Sequence, residues 1–168
     1  NRPLTENYTG AGGTEITYQY DTCGDGVGRL CGATTTDAST NYAYNYLGNT
    51  SRVAKTIDNT TYQTLFDYDR LGNIASTTNP NGSQTMYVYN NAGLLEKVDF
   101  RPPGGSLTNV VADYDYGPHE KPTYEEFANS DKTTKTYDAN ALYRLSNILG
   151  YGYATSSAAD GLIGSSTL

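Results

Sequence analysis

The residues able to do chemistry in this chain are few. His119 is the single imidazole, within Gly117-Pro118-His119-Glu120-Lys121-Pro122. A catalytic histidine needs a nucleophile and an orienting acid beside it; two prolines and a glycine mark a turn instead, which places His119 on an exposed loop. Cys23 and Cys31 are the two cysteines. Cys23 could pair with His119 as a nucleophile, but both thiols flank the turn-rich run Gly24-Asp25-Gly26-Val27-Gly28. A hairpin centred near Val27 sets them opposite each other, within the roughly 4.4–6.8 Å between Cα atoms that a bridge requires. The spacing predicts a disulfide, and with it an oxidising, extracellular compartment. One histidine cannot complete a transition-metal site, so neither metal nor cofactor is expected.

Paired carboxylates are the remaining candidates. Asp67-x-Asp69 and Asp113-x-Asp115 put two acids on one strand face. They could hold calcium, which needs more oxygen ligands on a tight turn, or act as a glycosidase pair, which must face across a cleft. Turn caps and a polar strand face account for them more simply, and Glu125-Glu126 reads as a solvated edge. No Gly-x-Ser-x-Gly elbow, phosphate-binding loop or His-Glu-x-x-His motif occurs. The chain reads as non-enzymatic.

The elements that position these residues follow from composition. In 168 residues there are 11 basic and 18 acidic side chains, a charged share of 17% where about a quarter is usual. Tyr alone supplies 17 residues. Tyr and Thr favour strands, and the helix formers Leu, Lys and Glu are sparse. A net charge of −7 lacks the basic stripe of a nucleic-acid binder, and no apolar run approaches the roughly 20 residues of a membrane-spanning helix.

Self-similarity sets the architecture. An alternating aromatic pair, then Asp or Asn, then a gap holding Gly, recurs along the chain. The copies are Tyr18-x-Tyr20-Asp21 with Gly28, Tyr42-x-Tyr44-Asn45 with Gly48, Phe66-x-Tyr68-Asp69 with Gly72, and Tyr87-x-Tyr89-Asn90 with Gly93. A blurred copy, Tyr114-x-Tyr116-Gly117, and Tyr137-Asp138 complete the series. Alternation puts both rings on one strand face. Asp21, Asn45, Asp69, Asn90 and Asp138 then start turns by bonding backbone N–H groups ahead of them, and Gly28, Gly48, Gly72 and Gly93 supply positive φ. A second turn signal midway, as at Asp58-Asn59, makes each period a hairpin. About twelve strands are expected, near 14–21, 28–35, 40–45, 51–57, 61–69, 73–78, 84–90, 94–99, 107–116, 121–127, 132–138 and 143–149. Residues 1–13 read as an N-terminal connection, 14–151 as a sheet of about six antiparallel hairpins, and 152–168 as a flexible Gly/Ser/Ala-rich tail. Rings in register with every hairpin form a structural ladder; exposed rings stacking on a surface glycan are the alternative.

The pattern resembles the RHS/YD-repeat family, named for the dipeptide at Tyr20-Asp21, Tyr68-Asp69 and Tyr137-Asp138. Thr136-Tyr137-Asp138 through Arg144-Leu145 carries the resemblance most closely, and it extends over roughly 14–149. It implies an open, curved sheet of consecutive hairpins that spirals into a strip or shell, as in bacterial toxin complexes and animal adhesion proteins. The Asp-Pro-x-Gly signature that ends many family cores does not occur, so no self-cleavage residue carries over. The expectation is an internal structural segment of a larger secreted or cell-surface protein. Its partners would be further YD repeats or copies of itself, with an enclosed cargo or a surface glycan as ligand. The alternative is an adhesion module that uses Tyr42 or Tyr87 to bind carbohydrate.

Overall fold

A computed structural model describes residues 2–8, 15–151 and 166–167, with Tyr151, Ser166 and Thr167 described in their backbone alone. It divides into two compact units, Asn1–Gln84 and Thr85–Leu168. In the first, the strands are β1 (Thr5–Glu6), β2 (Ile16–Tyr20), β3 (Leu30–Thr34), β4 (Ala38–Tyr44), β5 (Thr50–Ile57), β6 (Thr60–Tyr68) and β7 (Ile74–Thr78). The second carries β8 (Gln84–Tyr89), β9 (Leu95–Arg101), β10 (Thr108–Tyr116), β11 (Pro122–Phe127), β12 (Lys132–Asp138), β13 (Arg144–Tyr151) and β14 (Ser166–Thr167). The strands are laid down in chain order, and each pairs antiparallel with the next from β1 to β7 in the first unit and from β9 to β14 in the second. Helical geometry among the described residues is limited to single 3₁₀ turns at Pro118–Glu120 and Ala139–Ala141. The all-β reading as consecutive open hairpins is borne out.

The strands form because polar and half-buried residues alternate along them. β2, Ile-Thr-Tyr-Gln-Tyr, alternates half-buried and exposed at every step. Strands pack against their sequence neighbours, and the fully buried side chains are small: Cys31, Ala54, Val111, Ser76 and Ser83. Among the described residues no large side chain is wholly buried. The rings therefore cover the sheet rather than filling a thick core, as amphipathic tyrosines can.

One irregularity recurs. The ladder shifts register by one residue immediately before the second aromatic of the motif: before Tyr20, Tyr44, Tyr68, Tyr116 and Tyr137. In each case the extra residue lies on the returning strand. Such a bulge leaves ladder groups unpaired and adds twist.

The two termini depart from the sequence expectation. Within the presumed connection 1–13, Thr5–Glu6 pairs with β2; the Tyr18 amide also donates to the Leu4 carbonyl. A two-residue strand carries no periodicity, so its partner alone defines it. Within the presumed tail 152–168, Ser166–Thr167 pairs with β13; the rest of that tail, like residues 9–13, lies outside the described residues.

Candidate functional site

The repeating turn is the smallest unit. In 45–49, 69–73 and 90–94 the first residue donates its N–H to the carbonyl four residues on, and the glycine N–H donates back to the first residue's carbonyl. This is the three-residue hairpin loop that needs a left-handed residue before the return strand. Asn45 Oδ1 accepts from the amides of Leu47 and Asn49, Asp69 Oδ1 from Leu71 and Asn73, and Asn90 Oδ1 from Ala92 and Leu94, all at 2.8–3.0 Å. Gly28, Gly48, Gly72 and Gly93 have φ of +83°, +81°, +88° and +77°. The Asn73 side-chain amide donates to Asp69 at 3.0 Å and, with the turn amides, holds the Asp69 carboxyl below the usual aspartate range.

Above the turns sits a contact that ties each period to the one before. The Tyr44 hydroxyl donates to the Leu30 carbonyl at 2.7 Å, Tyr68 to Thr50 at 2.8 Å, Tyr116 to Leu95 at 2.6 Å and Tyr137 to Pro122 at 2.8 Å. Every donor is the second aromatic of its motif, and every acceptor is the first residue of the returning strand one period earlier. Leu30, Thr50 and Pro122 are also the residues facing Tyr20, Tyr44 and Tyr116 at the register shift. The bulge thus offers the carbonyl that the hydroxyl takes. Burial raises the ionisation of Tyr68 and Tyr116 above the usual tyrosine range, consistent with neutral hydroxyls that donate.

A cation lies over two of the same rings. Arg29 stands 5.2 Å from the Tyr44 centroid, and Lys121 5.2 Å from that of Tyr137. Both precede the accepting residue by one position. Arg2 lies 5.2 Å from the Tyr20 ring and bonds Asp21 at 3.0 and 3.1 Å. The Gly28 amide, and after it Arg2, lowers the Asp21 carboxyl below its usual range. The hydroxyl on the carbonyl forms a clasp; at Tyr44 and Tyr137 a cation also covers the ring face.

The other sequence-selected rings occupy half-buried positions on their strands. Tyr18 donates to Glu6 at 3.1 Å, Tyr42 faces Val53, Phe66 faces Thr77, and Tyr114 lies 6.4 Å from Tyr116 along one strand. Tyr87 and Tyr89 lie half-buried on β8. At the four clasped positions the join between periods is a hydroxyl on a backbone carbonyl. Nothing in the residue pattern pointed to those carbonyls.

Three turns depart from the standard form. In the first, Cys23 and Cys31 are joined by a disulfide with Cα atoms 5.5 Å apart. Gly26 is buried against it, and a Cβ there would meet Cys31 Sγ at 2.8 Å and collide with Cys23 Sγ. The fifth and sixth turns lack the glycine. His119 and Glu120 have φ of +65° and +58°, and Leu142 and Tyr143 +57° and +53°. Asp138 Oδ1 accepts from the Asn140 amide at 2.8 Å. The His119 and Tyr143 rings meet edge-on with centroids 4.4 Å apart, and Lys121 Nζ donates to the Tyr143 carbonyl.

The carboxylates meet partners within the sheet. Asp67 accepts from buried Ser76 at 2.7 Å. Glu125 pairs with Lys135 at 2.6 Å and Glu126 with Lys132 at 3.4 Å. These two glutamates are cross-strand partners of β12 rather than the solvated edge expected, because Lys132 faces Glu126 and Lys135 lies two residues from Thr133, which faces Glu125. Among the described residues no group of acids, cysteines and histidine is arranged to hold a metal, and no helix is long and apolar enough to cross a membrane.

Residues 68–101 match the family model described as RHS Repeat. No curated protein matches the chain. Among solved structures, the crystal structure of TcdB2-TccC3 aligns with a TM-score of 0.76 at 15% identity, covering 82% of this chain. The TcdB2-TccC3-Cdc42 structure aligns at 0.78 and 15% identity over 88% of this chain. A Tc holotoxin pore of Photorhabdus luminescens aligns at 0.74 and 16% identity over 83%. The chain spans about 8% of the length of each of these proteins. The period running from Tyr68 to Arg101 thus matches the RHS Repeat model, and the hairpins are similar in fold to these Tc toxin components.

Proposed function

We propose that this chain is a structural, non-enzymatic segment of a secreted or cell-surface YD-repeat protein, in which successive hairpins build the wall of a shell around a cargo. The observation that carries the reading is the clasp. Four tyrosine hydroxyls each bind the return strand of the preceding period, so the conspicuous residues of the chain are used to join repeat to repeat. Similarity to Tc toxin components supports association with further repeats in an assembly. The Cys23–Cys31 bridge fits an oxidising compartment. Asp21, Asn45, Asp69, Asn90 and Asp138 act here as turn formers, and Gly28, Gly48, Gly72 and Gly93 as the left-handed hinges of those turns.

The test is to replace Tyr44, Tyr68, Tyr116 and Tyr137 together with Phe and to follow thermal unfolding beside a glycan-array screen. A wall segment loses stability and cooperativity, and binds no glycan before or after. Specific glycan binding by the unaltered chain, lost in a folded Tyr42→Ala or Tyr87→Ala variant, would overturn this reading in favour of an adhesion module.

A further inference from the structure

The clasp has a register rule. In three hairpins the residue two positions after the accepting carbonyl can be matched to its facing residue. Gly32 faces Asn41, Arg52 faces Leu65, and Tyr124 faces Thr134. The clasped tyrosine follows each of these facing residues at the same interval: Tyr44 after Asn41, Tyr68 after Leu65, and Tyr137 after Thr134. The third residue beyond the facing position therefore carries the hydroxyl.

The sixth turn ends in a bulge of the same kind. Leu145 faces Tyr137 across a register shift, as Leu30 faces Tyr20 and Pro122 faces Tyr116. Arg144 precedes it, as Arg29 precedes Leu30 and Lys121 precedes Pro122, two of the four acceptors. Its guanidinium is exposed and, among the described residues, lies over no ring and in no ion pair. No tyrosine hydroxyl among the described residues reaches the Leu145 carbonyl, as hydroxyls reach those of Leu30, Thr50, Leu95 and Pro122. Two residues on, Asn147 faces Thr167 of β14, so β14 sets the line along which a tyrosine would enter.

We infer that Arg144 and the Leu145 carbonyl form an open clasp, a recognition socket for the second aromatic of a further YD-repeat strand running in line with β14. The occupant is defined by chemistry and register. It is an extended strand whose tyrosine stands three residues beyond the position facing Asn147, with its ring under the Arg144 guanidinium and its hydroxyl on the Leu145 carbonyl. Phe would fill the ring position and leave the carbonyl untouched. A tyrosine one residue earlier or later would project to the other face of the sheet. The socket rests on the structural-repeat reading above and narrows it to a named pair of residues.

The experiment extends the full chain past Leu168 with Thr-Tyr-Asp, the order found at Thr136-Tyr137-Asp138, which sets the new tyrosine in the clasping register. Companion chains carry Phe in its place, or one Ser inserted ahead of it. Amide hydrogen exchange is read at Leu145, Ser146 and Asn147, with Tyr68→Phe read at Thr50 as the reference for an occupied clasp. The in-register tyrosine should slow exchange about fivefold relative to Phe, the equivalent of one net hydrogen bond, and Arg144→Ala should remove part of that gain. The shifted chain should gain nothing. Equal protection by Tyr and Phe overturns the clasp while leaving the repeat reading standing. No protection from any extension overturns the repeat reading itself.

Discussion

Between Asn45 and Asn49 one amide oxygen and one glycine close the turn; between Asp138 and Tyr143 the chain closes a comparable turn with Leu142 and Tyr143 both left-handed. The standard form, at 45–49, 69–73 and 90–94, rests on local chemistry alone. An Asx oxygen satisfies two amides, and Gly occupies positive φ without a Cβ clash. The departures at 21–29, 117–121 and 138–143 bring in outside help: a disulfide in the first, and in the last two the His119–Tyr143 ring contact and the Lys121 bond to the Tyr143 carbonyl. A left-handed L-residue costs roughly 1–2 kcal/mol, so the fifth and sixth turns hold their shape only while those neighbours hold them. Reversal of the chain into a returning strand is thus what the repeats share, and glycine is one of several ways to reach it.

The comparison can be broken hardest at the first turn. Cys23→Ala with Cys31→Ala should lower stability by about 2–3 kcal/mol, from loop closure in the unfolded chain, read as a shift in urea midpoint that reductant reproduces in the unaltered protein. No response to reductant would make the staple irrelevant. A standard turn breaks through its glycine. Gly72 has φ of +88° and its nearest neighbour, Asn49 Nδ2, lies 3.8 Å from an added Cβ. Gly72→Val has space but the wrong backbone, and should cost at least about 2 kcal/mol. The irregular turn should answer in the opposite sense. Leu142 is 83% exposed, so Leu142→Gly loses little packing and relieves a left-handed residue, for a gain of up to about 1 kcal/mol after the entropy of glycine is set against it. Destabilisation by that change would mean that the sixth turn is held by its leucine.

Two smaller effects sharpen the contrast. Tyr68→Phe should cost about 1 kcal/mol, the net value of one hydrogen bond, in thermal or chemical unfolding. The smallest effect concerns Asp69, whose folded pKa lies below its unfolded one. Its contribution is complete above the unfolded value of about 3.9 and is lost as pH falls through the lowered folded value. Asp69→Asn should flatten that part of the acid limb, because the turns opened by Asn45 and Asn90 have nothing to titrate. An unchanged profile from neutral to about pH 2 would show that the Asp69 cap has no bearing on stability.

Much of the fold was legible because its signals are local. Alternation in Ile16–Tyr20, the Asx-Gly pairs and the midway turn at Asp58-Asn59 each act within a few residues, and the strands fall close to where they place them. The left-handed pairs at His119-Glu120 and Leu142-Tyr143 were not legible, since neither Leu nor Tyr advertises positive φ. The clasp was half legible. The tyrosines announced themselves, but their carbonyl acceptors have no side-chain identity: Leu30, Thr50, Leu95 and Pro122 share a backbone position and nothing else. A one-residue register shift decides that position, and residue types do not encode it.

The clasp also explains why the period is uneven. From four of the second aromatics to the first residue of the strand that follows the interval is the same: Tyr44 to Thr50, Tyr68 to Ile74, Tyr89 to Leu95 and Tyr116 to Pro122, whereas Tyr20 to Leu30 is longer, where the disulfide closes the turn. From acceptor to clasping tyrosine the chain runs 14, 18, 21 and 15 residues. In these four repeats the freedom lies at the far ends of the hairpins, where Pro102-Pro103-Gly104-Gly105 makes the longest excursion. Insertions can accumulate there without disturbing the joins, so in these repeats one end of the hairpin is fixed machinery and the other is open ground on which a new loop can be carried.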